Sequence, residues 1–491
     1  MARRRIHNTN INRRDMFKMG GGCAALTNAS LLSTILNLSA TNSVVAQSGD
    51  LTDYKAMVVV FLFGGNDSYN MLTPLETQER ADYLTARGGV YAPNNGALGL
   101  PEGTLHQVTD SASGRRFGLH PSFGDIKDIY DAGDATFLCN VGSLIKETTK
   151  QTYQAGLDLP LGLFSHSDLQ RHWMTSVPQT RSQVTGWAGR MADILNDSTN
   201  NNDNISMNIS INDVNMLQTG GSVIPYIVSD SGAREVDWYY PLRDAGPSYW
   251  TNRRIFTELT DDVLSRSYGN LIERTFVEMN RTALDAAIEY NVAVDSVADT
   301  IAPFFPPDNT GTRFQRRMRM IAQTIAARDT INQKRQVFFV SEGGWDNHDE
   351  LINNQEYNLM EINDGLKNFY DAMNAIGANQ DVVTFTASDF ARTLNSNGRG
   401  SDHAWGGNQL IMGGPVVGGR MHGQYPTTLA PGNELDLGRG RMIPTTSVDE
   451  MAAELAMWYG IDNDSNLEMV LPNIRNFDSA NTGTRPIGFL S

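Results

Sequence analysis

The sequence predicts an α/β fold, a three-layer sandwich with a mostly parallel central sheet and insertions. Two observations carry this. Short apolar runs ending in small or polar residues recur at Met57 to Phe63, Ala135 to Val141, Val337 to Val340, Val382 to Thr386 and Gln409 to Met412. Runs of that length suit parallel strands buried on both faces. Amphipathic helices lie between some of them. Leu359, Ile362, Leu366, Phe369, Met373 and Ile376 advance by threes and fours until Gly377 stops the pattern. Ser447-Val448-Asp449-Glu450 reads as a capping box opening a helix that runs to Tyr459, with Gly460 closing it. Such alternation argues for a parallel sheet covered by helices on both faces.

The N-terminal segment belongs to none of this. Arg13 and Arg14 stand in a basic stretch with Arg3, Arg4, Arg5 and Lys18, followed by a soft apolar run and by Val44-Val45-Ala46 as a small-residue cleavage site. Residues 1–46 therefore read as a twin-arginine export signal, which predicts a periplasmic or secreted protein with the twin-arginine translocase as its partner during export. A membrane-spanning helix is disfavoured, because Thr27, Asn28, Ser30, Ser33, Thr34, Asn37, Ser39 and Thr41 interrupt the run. Residues 47–491 read as a single domain, with about 195–310 as an insertion or lid. Within that stretch the Asn/Asp/Ser/Thr run Asn196 to Asn204 has no calcium-loop spacing and reads as a solvated loop.

Cleavage would remove six basic residues and one acid, taking the formal charge from -16 to -21. That excludes a nucleic-acid partner, which would demand a basic face. Arg313, Arg316, Arg317 and Arg319 read as the solvated side of a helix. Only Cys139 remains after cleavage, so no intrachain disulfide is available and the core must supply stability.

In an open parallel sheet, ligands gather at the carboxyl ends of the strands. The chain's most unusual polar residues fall there: Gly64-Gly65-Asn66-Asp67-Ser68, Gly343-Gly344-Trp345-Asp346-Asn347-His348, Ser388-Asp389-Phe390, and Ser401-Asp402-His403 shortly after. Carboxylates and histidines gathered at one edge call for a positive charge, because like charges in a cleft raise one another's pKa. A divalent cation meets that need, and mixed Asp and His ligands suit zinc or manganese better than calcium.

At these residues the chain resembles a known family. Phe61-Leu62-Phe63-Gly64-Gly65-Asn66-Asp67, Phe164-Ser165-His166-Ser167, Gly343 to His348, Ser388-Asp389-Phe390-Ala391-Arg392-Thr393 and Asp402-His403 resemble, in order, the blocks of the secreted bacterial family catalogued as domain of unknown function 1501. That family is similar to the alkaline phosphatase and sulfatase superfamily. The resemblance implies an alkaline-phosphatase-like domain and metal-dependent hydrolysis of phosphate or sulfate esters, small-molecule or glycan, with one or two divalent ions. It implies Asp67, Asp346, His348, Asp389 and His403 as metal ligands and Ser165 as nucleophile, with Ser68 as the fallback. Arg392 and Arg171, with His172, are candidates to clamp the anionic group. Two departures bear on the ion count: Phe390 stands where a histidine should follow Asp389, and Asp346 is shifted from the expected acid position, held here by Gly344. A second reading, of a non-catalytic relative binding an envelope glycan, a metal or a protein partner, takes its support from Phe390. A Gly-x-Ser-x-Gly elbow and a dinucleotide fingerprint are both absent from the sequence, which disfavours serine hydrolases and dehydrogenases.

Overall fold

The computed structural model describes residues 51–491 apart from 201, 203, 212–213, 237–238, 240–250 and 478–485. The twin-arginine segment lies outside the described residues. In chain order the strands are β1 (Lys55–Leu62), β2 (Leu72–Pro74), β3 (His106–Thr109), β4 (Arg116–Leu119), β5 (Ala135–Gly142), β6 (Asn208–Ser210), β7 (Tyr226–Ile227), β8 (Arg335–Glu342), β9 (Val382–Ser388), β10 (Gly407–Met412), β11 (Met421–Gly423) and β12 (Thr446–Ser447). β2, β4 and β3 form a small antiparallel sheet. The other nine make the central sheet in the order β11-β5-β10-β9-β1-β8-β6-β7, with β12 beside β5.

β1 pairs in parallel with β8 and β9, β8 with β6, β6 with β7, and β5 with β11 and β12. β10 alone runs against its neighbours β9 and β5. The mostly parallel sheet is as expected, but Gln409 to Met412 is antiparallel rather than parallel. A strand buried on both faces shows the same continuous apolar run in either direction, so composition could not tell the two apart.

The alternation of side chains along β1 builds the layers. Ala56, Val58, Val60 and Leu62 pack with Phe314, Met318 and Ile321 of the helix Arg313–Ala326 and Leu359, Ile362 and Leu366 of the helix Leu351–Ala375. Met57, Val59 and Phe61 face Trp187, Met191 and Leu195 of the helix Trp187–Thr199 and Met451 and Leu455 of the helix Val448–Tyr459. Helices thus cover both faces. The capping box forms as expected: Ser447 Oγ accepts from the Glu450 N–H at 3.0 Å, and Glu450 accepts from the Ser447 N–H at 2.7 Å.

The 195–310 stretch contributes β6 and β7 to the central sheet, and the helix Leu271–Ser296 sends Leu284, Tyr290 and Val294 into the core. Two expectations about polar residues change. Asn200 and Asn202 of the Asn-rich run are buried rather than solvated. Asn200 Oδ1 accepts from the backbone N–H groups of Lys334 and Arg335, serving main-chain donors that burial would otherwise leave unpaired. Arg317 is buried too, paired with Glu342, whereas Arg313 lies on the exposed side of the same helix. Among the described residues, no helix is long and apolar enough to cross a membrane.

Asp449, in the first turn of Val448–Tyr459, is 1 % exposed, and its Oδ1 has no partner among the described residues. Burial pushes its carboxyl up to about 7, although Ser176 and Arg190 act the other way. The folded chain therefore holds this proton more tightly than the unfolded chain. Stability is lost as pH rises from the unfolded pKa near 3.8 to about 7. Asp449→Asn should raise stability on the alkaline side of that window, by up to about 4 kcal/mol, and with it the melting temperature, and change little below it. Thermal melts across the window check this; a variant less stable than the parent on the alkaline side would refute it.

Candidate metal centre

β1, β8 and β9 end at one edge of the sheet because they run parallel, and the loops leaving β8 and β9 carry most of the candidate residues. A third segment is the helix His166–Thr175, which begins at His166 itself. Two glycines let these segments close up. Gly64 has φ +122°, and a Cβ there would stand 2.4 Å from the Asp346 nitrogen; Gly65 has φ +90°, and its Cβ would meet the Phe390 ring at 2.4 Å. Any side chain at either position would force the loops apart.

His166, Asp346 and His403 each bring a possible ligand atom to within 4.8 Å of the others. His348 joins from one side, its Nε2 lying 3.1 Å from both His403 Nε2 and Asp346 Oδ1. Asp346 also stands 3.4 Å from His403 Nε2 through Oδ1 and 3.4 Å from His166 Nε2 through Oδ2. The far nitrogen of every ring is engaged. His166 Nδ1–H donates to Asp389 Oδ2 at 2.7 Å, His348 Nδ1–H to Asp402 Oδ1 at 3.1 Å, and His403 Nδ1–H to the Phe164 carbonyl at 2.7 Å. The Phe164 carbonyl only accepts, so the His403 proton sits on Nδ1 and its Nε2 lone pair turns inward; a cation among the rings would hold His166 and His348 in the same tautomer.

In that tautomer three imidazole lone pairs and a carboxylate face one another, an arrangement that a cation among them stabilises. The edges among Asp346, His348 and His403, 3.1 to 3.4 Å, and the 3.4 Å edge from Asp346 to His166 lie near the roughly 3.3–3.4 Å between neighbouring ligands of an ion with metal–ligand distances of about 2.0–2.1 Å. The carboxylates and carbonyl behind the rings are the outer partners that metal-ligating histidines require. Burial pushes the Asp346 carboxyl up, but the hydrogen bond and charge of Arg392, aided by His348 and His166, more than offset this and hold it below the usual range. The hydrogen bond to Asp389 raises the His166 pKa, whereas burial lowers that of His403 and favours its neutral, ligating form. The four side chains remain 24–46 % exposed, so the cluster is open to solvent. Phe390 floors it, with ring centroids 4.8 Å from His166 and 4.5 Å from His403.

Of the residues expected as ligands, the structure brings Asp346, His348 and His403 together. Asp389 instead stands behind His166, 1 % exposed, and also accepts from Gln170 at 2.8 Å and Gly64 at 3.3 Å. Asp67 is enclosed in an ion pair with Arg87, whose side chain is fully buried. Arg392, expected as a clamp, is also fully buried; it donates to Asp346 Oδ1 at 2.7 Å, to the Gly64 carbonyl and to Ser401, so it positions Asp346. Arg171 is spent on the carbonyls of Arg181 and Gln183. His172 packs beside Ser143, burial pushing its pKa down to about 4. Ser165 immediately precedes His166, but its hydroxyl is engaged by Ser167 and Asp168. Ser68 is 1 % exposed and accepts from the Asn408 N–H at 2.9 Å, which takes it out of reach as a nucleophile.

Residues 267–471 match the family model "Protein of unknown function (DUF1501)". The DUF1501 stretch contains Asp346, His348, Asp389, Arg392 and His403, whereas His166 and Asp67 precede it. No curated protein matches the chain. Solved structures similar to it include Ps i-CgsB in complex with k-i-k-neocarrahexaose, at 9% identity and a TM-score of 0.32 over 86% of this chain and 77% of that one. Another is the lipoteichoic acid synthase LtaP from Listeria monocytogenes, at 8% identity and a TM-score of 0.33 over 92% of this chain and 80% of that one.

His166 as a donor is what the sequence reading missed. Its signal is the Phe164-Ser165-His166-Ser167 block itself, in which the resemblance points to the serine and not to the histidine beside it. For Arg87 the sequence holds no comparable signal, since nothing local links it to Asp67.

Proposed function

We propose that this chain is an exported hydrolase of phosphate or sulfate esters that works with one divalent cation held by His166, Asp346 and His403, with His348 beside them and the remaining position left for water or the ester. The observation that carries the reading is the inward turn of three Nε2 atoms around Asp346, each ring fixed from behind. The imidazole-rich donor set favours zinc. The ester class is supported by the ordered motif blocks described from the sequence, and export by the twin-arginine segment. Such a cation would supply Lewis-acid polarisation of an ester oxygen and activation of water.

The chain's own residues set the rest. Arg392 holds Asp346 in place, Asp389 and Asp402 hold the rings of His166 and His348, and Phe390 keeps water from beneath them. Because the Ser165 hydroxyl is already engaged and Ser68 is buried, the attacking oxygen comes from water rather than from a serine. Asp67, neutralised by Arg87, needs no second cation.

The test is to strip the purified protein with chelator, reload it with zinc or manganese, and assay p-nitrophenyl phosphate and p-nitrophenyl sulfate. Turnover returning with one equivalent of metal per chain is expected. Metal bound tightly without turnover of either ester would overturn the hydrolase reading in favour of a binding protein.

A further inference from the structure

The rim that carries the metal cluster continues past it. β6, β7 and β8 run parallel, so Ile211, Val228 and Gly343 leave them at one edge, and around these ends lies a cavity of about 460 Å³. Ile211 and Val228, each 2 % exposed, are among its apolar lining, and Asp230, Arg234, Arg313, Arg317 and Glu342 line it as well. Its carboxylates are already matched: Glu342 pairs with Arg317 and Asp230 with Arg316, the latter at 3.1 Å. Arg234 and Arg313 are exposed, and neither is in a close ion pair among the described residues, although the charge of Arg313 acts on Glu342. In a chain of formal charge -16, whose buried arginines Arg87, Arg335 and Arg392 each hold an aspartate, two unmatched guanidinium groups on one cavity make a local excess of positive charge. The cavity is also close to the cluster. Gly343 lines it and precedes Asp346 by three residues, so at most about 11 Å of backbone separates them.

We propose that this cavity is a subsite for a second anionic group on a polyanionic ester whose reacting group lies at the metal cluster, with Arg234 and Arg313 as its specificity-determining residues. The apolar lining suits the carbon skeleton between the two groups, and the guanidinium forks match the oxygens of a phosphate or sulfate. The role of the neighbouring cluster rests on the hydrolase reading, whereas affinity of the arginine cavity for an oxyanion does not.

The experiment compares the parent protein with Arg234→Gln/Arg313→Gln. Binding of a highly sulfated oligosaccharide and of a linear polyphosphate is followed by calorimetry, and turnover by hydrolysis of p-nitrophenyl phosphate and sulfate. The parent should bind at least one of the two polyanions, and which one it prefers distinguishes sulfate from phosphate as the source. The double variant should bind it roughly tenfold or more weakly per arginine removed, with a shallower salt dependence and unchanged mono-ester turnover. Arg254→Gln, at an exposed arginine outside the cavity lining and already paired with Glu258, should change nothing. Equal binding by parent and double variant, an equal loss in Arg254→Gln, or no binding of either polyanion by the parent would overturn the subsite. Binding lost in the double variant while no ester is turned over by either protein would uphold the subsite and remove the hydrolase reading alone.

Discussion

His403→Ala should leave the folded protein without its equivalent of divalent metal. The ring is partly exposed and its Nδ1–H serves one carbonyl, so the loss of stability should be modest, about 1 kcal/mol. Its Nε2, by contrast, stands within 3.4 Å of both Asp346 and His348, where a cation would sit. Asp389→Asn provides the scale. It keeps the volume behind His166 but weakens the acceptor that fixes the ring, and removal of an outer partner typically lowers metal affinity about 10- to 100-fold. His403→Ala should exceed that loss. Metal content by mass spectrometry and zinc competition titrations on both variants give the comparison. Retention of a full equivalent by His403→Ala would discard the cluster as a metal centre, and a larger loss in Asp389→Asn would place Asp389 in direct contact with the ion.

Arg87→Met should destabilise the protein by about 3–5 kcal/mol, the range for breaking a buried ion pair from one side. Arg87 is fully buried and Asp67 nearly so; Arg87 also reaches the carbonyls of Thr393 and Leu394, and Asp67 Oδ2 has no partner among the described residues. Removing the guanidinium strands a carboxylate in a low-dielectric interior. Asp67→Asn/Arg87→Met should recover most of the loss, because both charges are then gone. Denaturant unfolding of the two variants measures this. A single variant as stable as the parent would mean that another cation neutralises Asp67, and the one-cation account of the site would fail.

Local pattern made much of this legible. β1, β5, β8 and β9 announce themselves as apolar runs, and Ser447 and Glu450 are close enough in sequence to be read as a cap. The glycine-flanked Asp346 and His348 likewise declare an unusual loop. What could not be read depends on distance across the fold. His166 meets Asp389 across 223 residues, and only the packing of a helix against the ends of three strands brings them together. Asp67 looked like a ligand because its place after β1 was right; the arginine that claims it lies twenty residues away, on a segment with no recognisable pattern. Asp389 lies at the expected edge but behind His166 rather than among the clustered donor atoms, since sequence gives position along a strand and not depth behind a neighbour.

The reversal of β10 has a consequence for how such a centre can vary. Had that strand followed the direction of β9, the chain between them would have had to travel to the opposite edge and back. Because it is reversed, residues 389–406 leave and return at the same rim. One uninterrupted hairpin therefore delivers Asp389, Arg392, Asp402 and His403, one member of the cluster together with the side chains that hold His166, Asp346 and His348. The supports of the cluster are thus written into one contiguous stretch of chain, so an insertion or deletion there would disturb several of them at once.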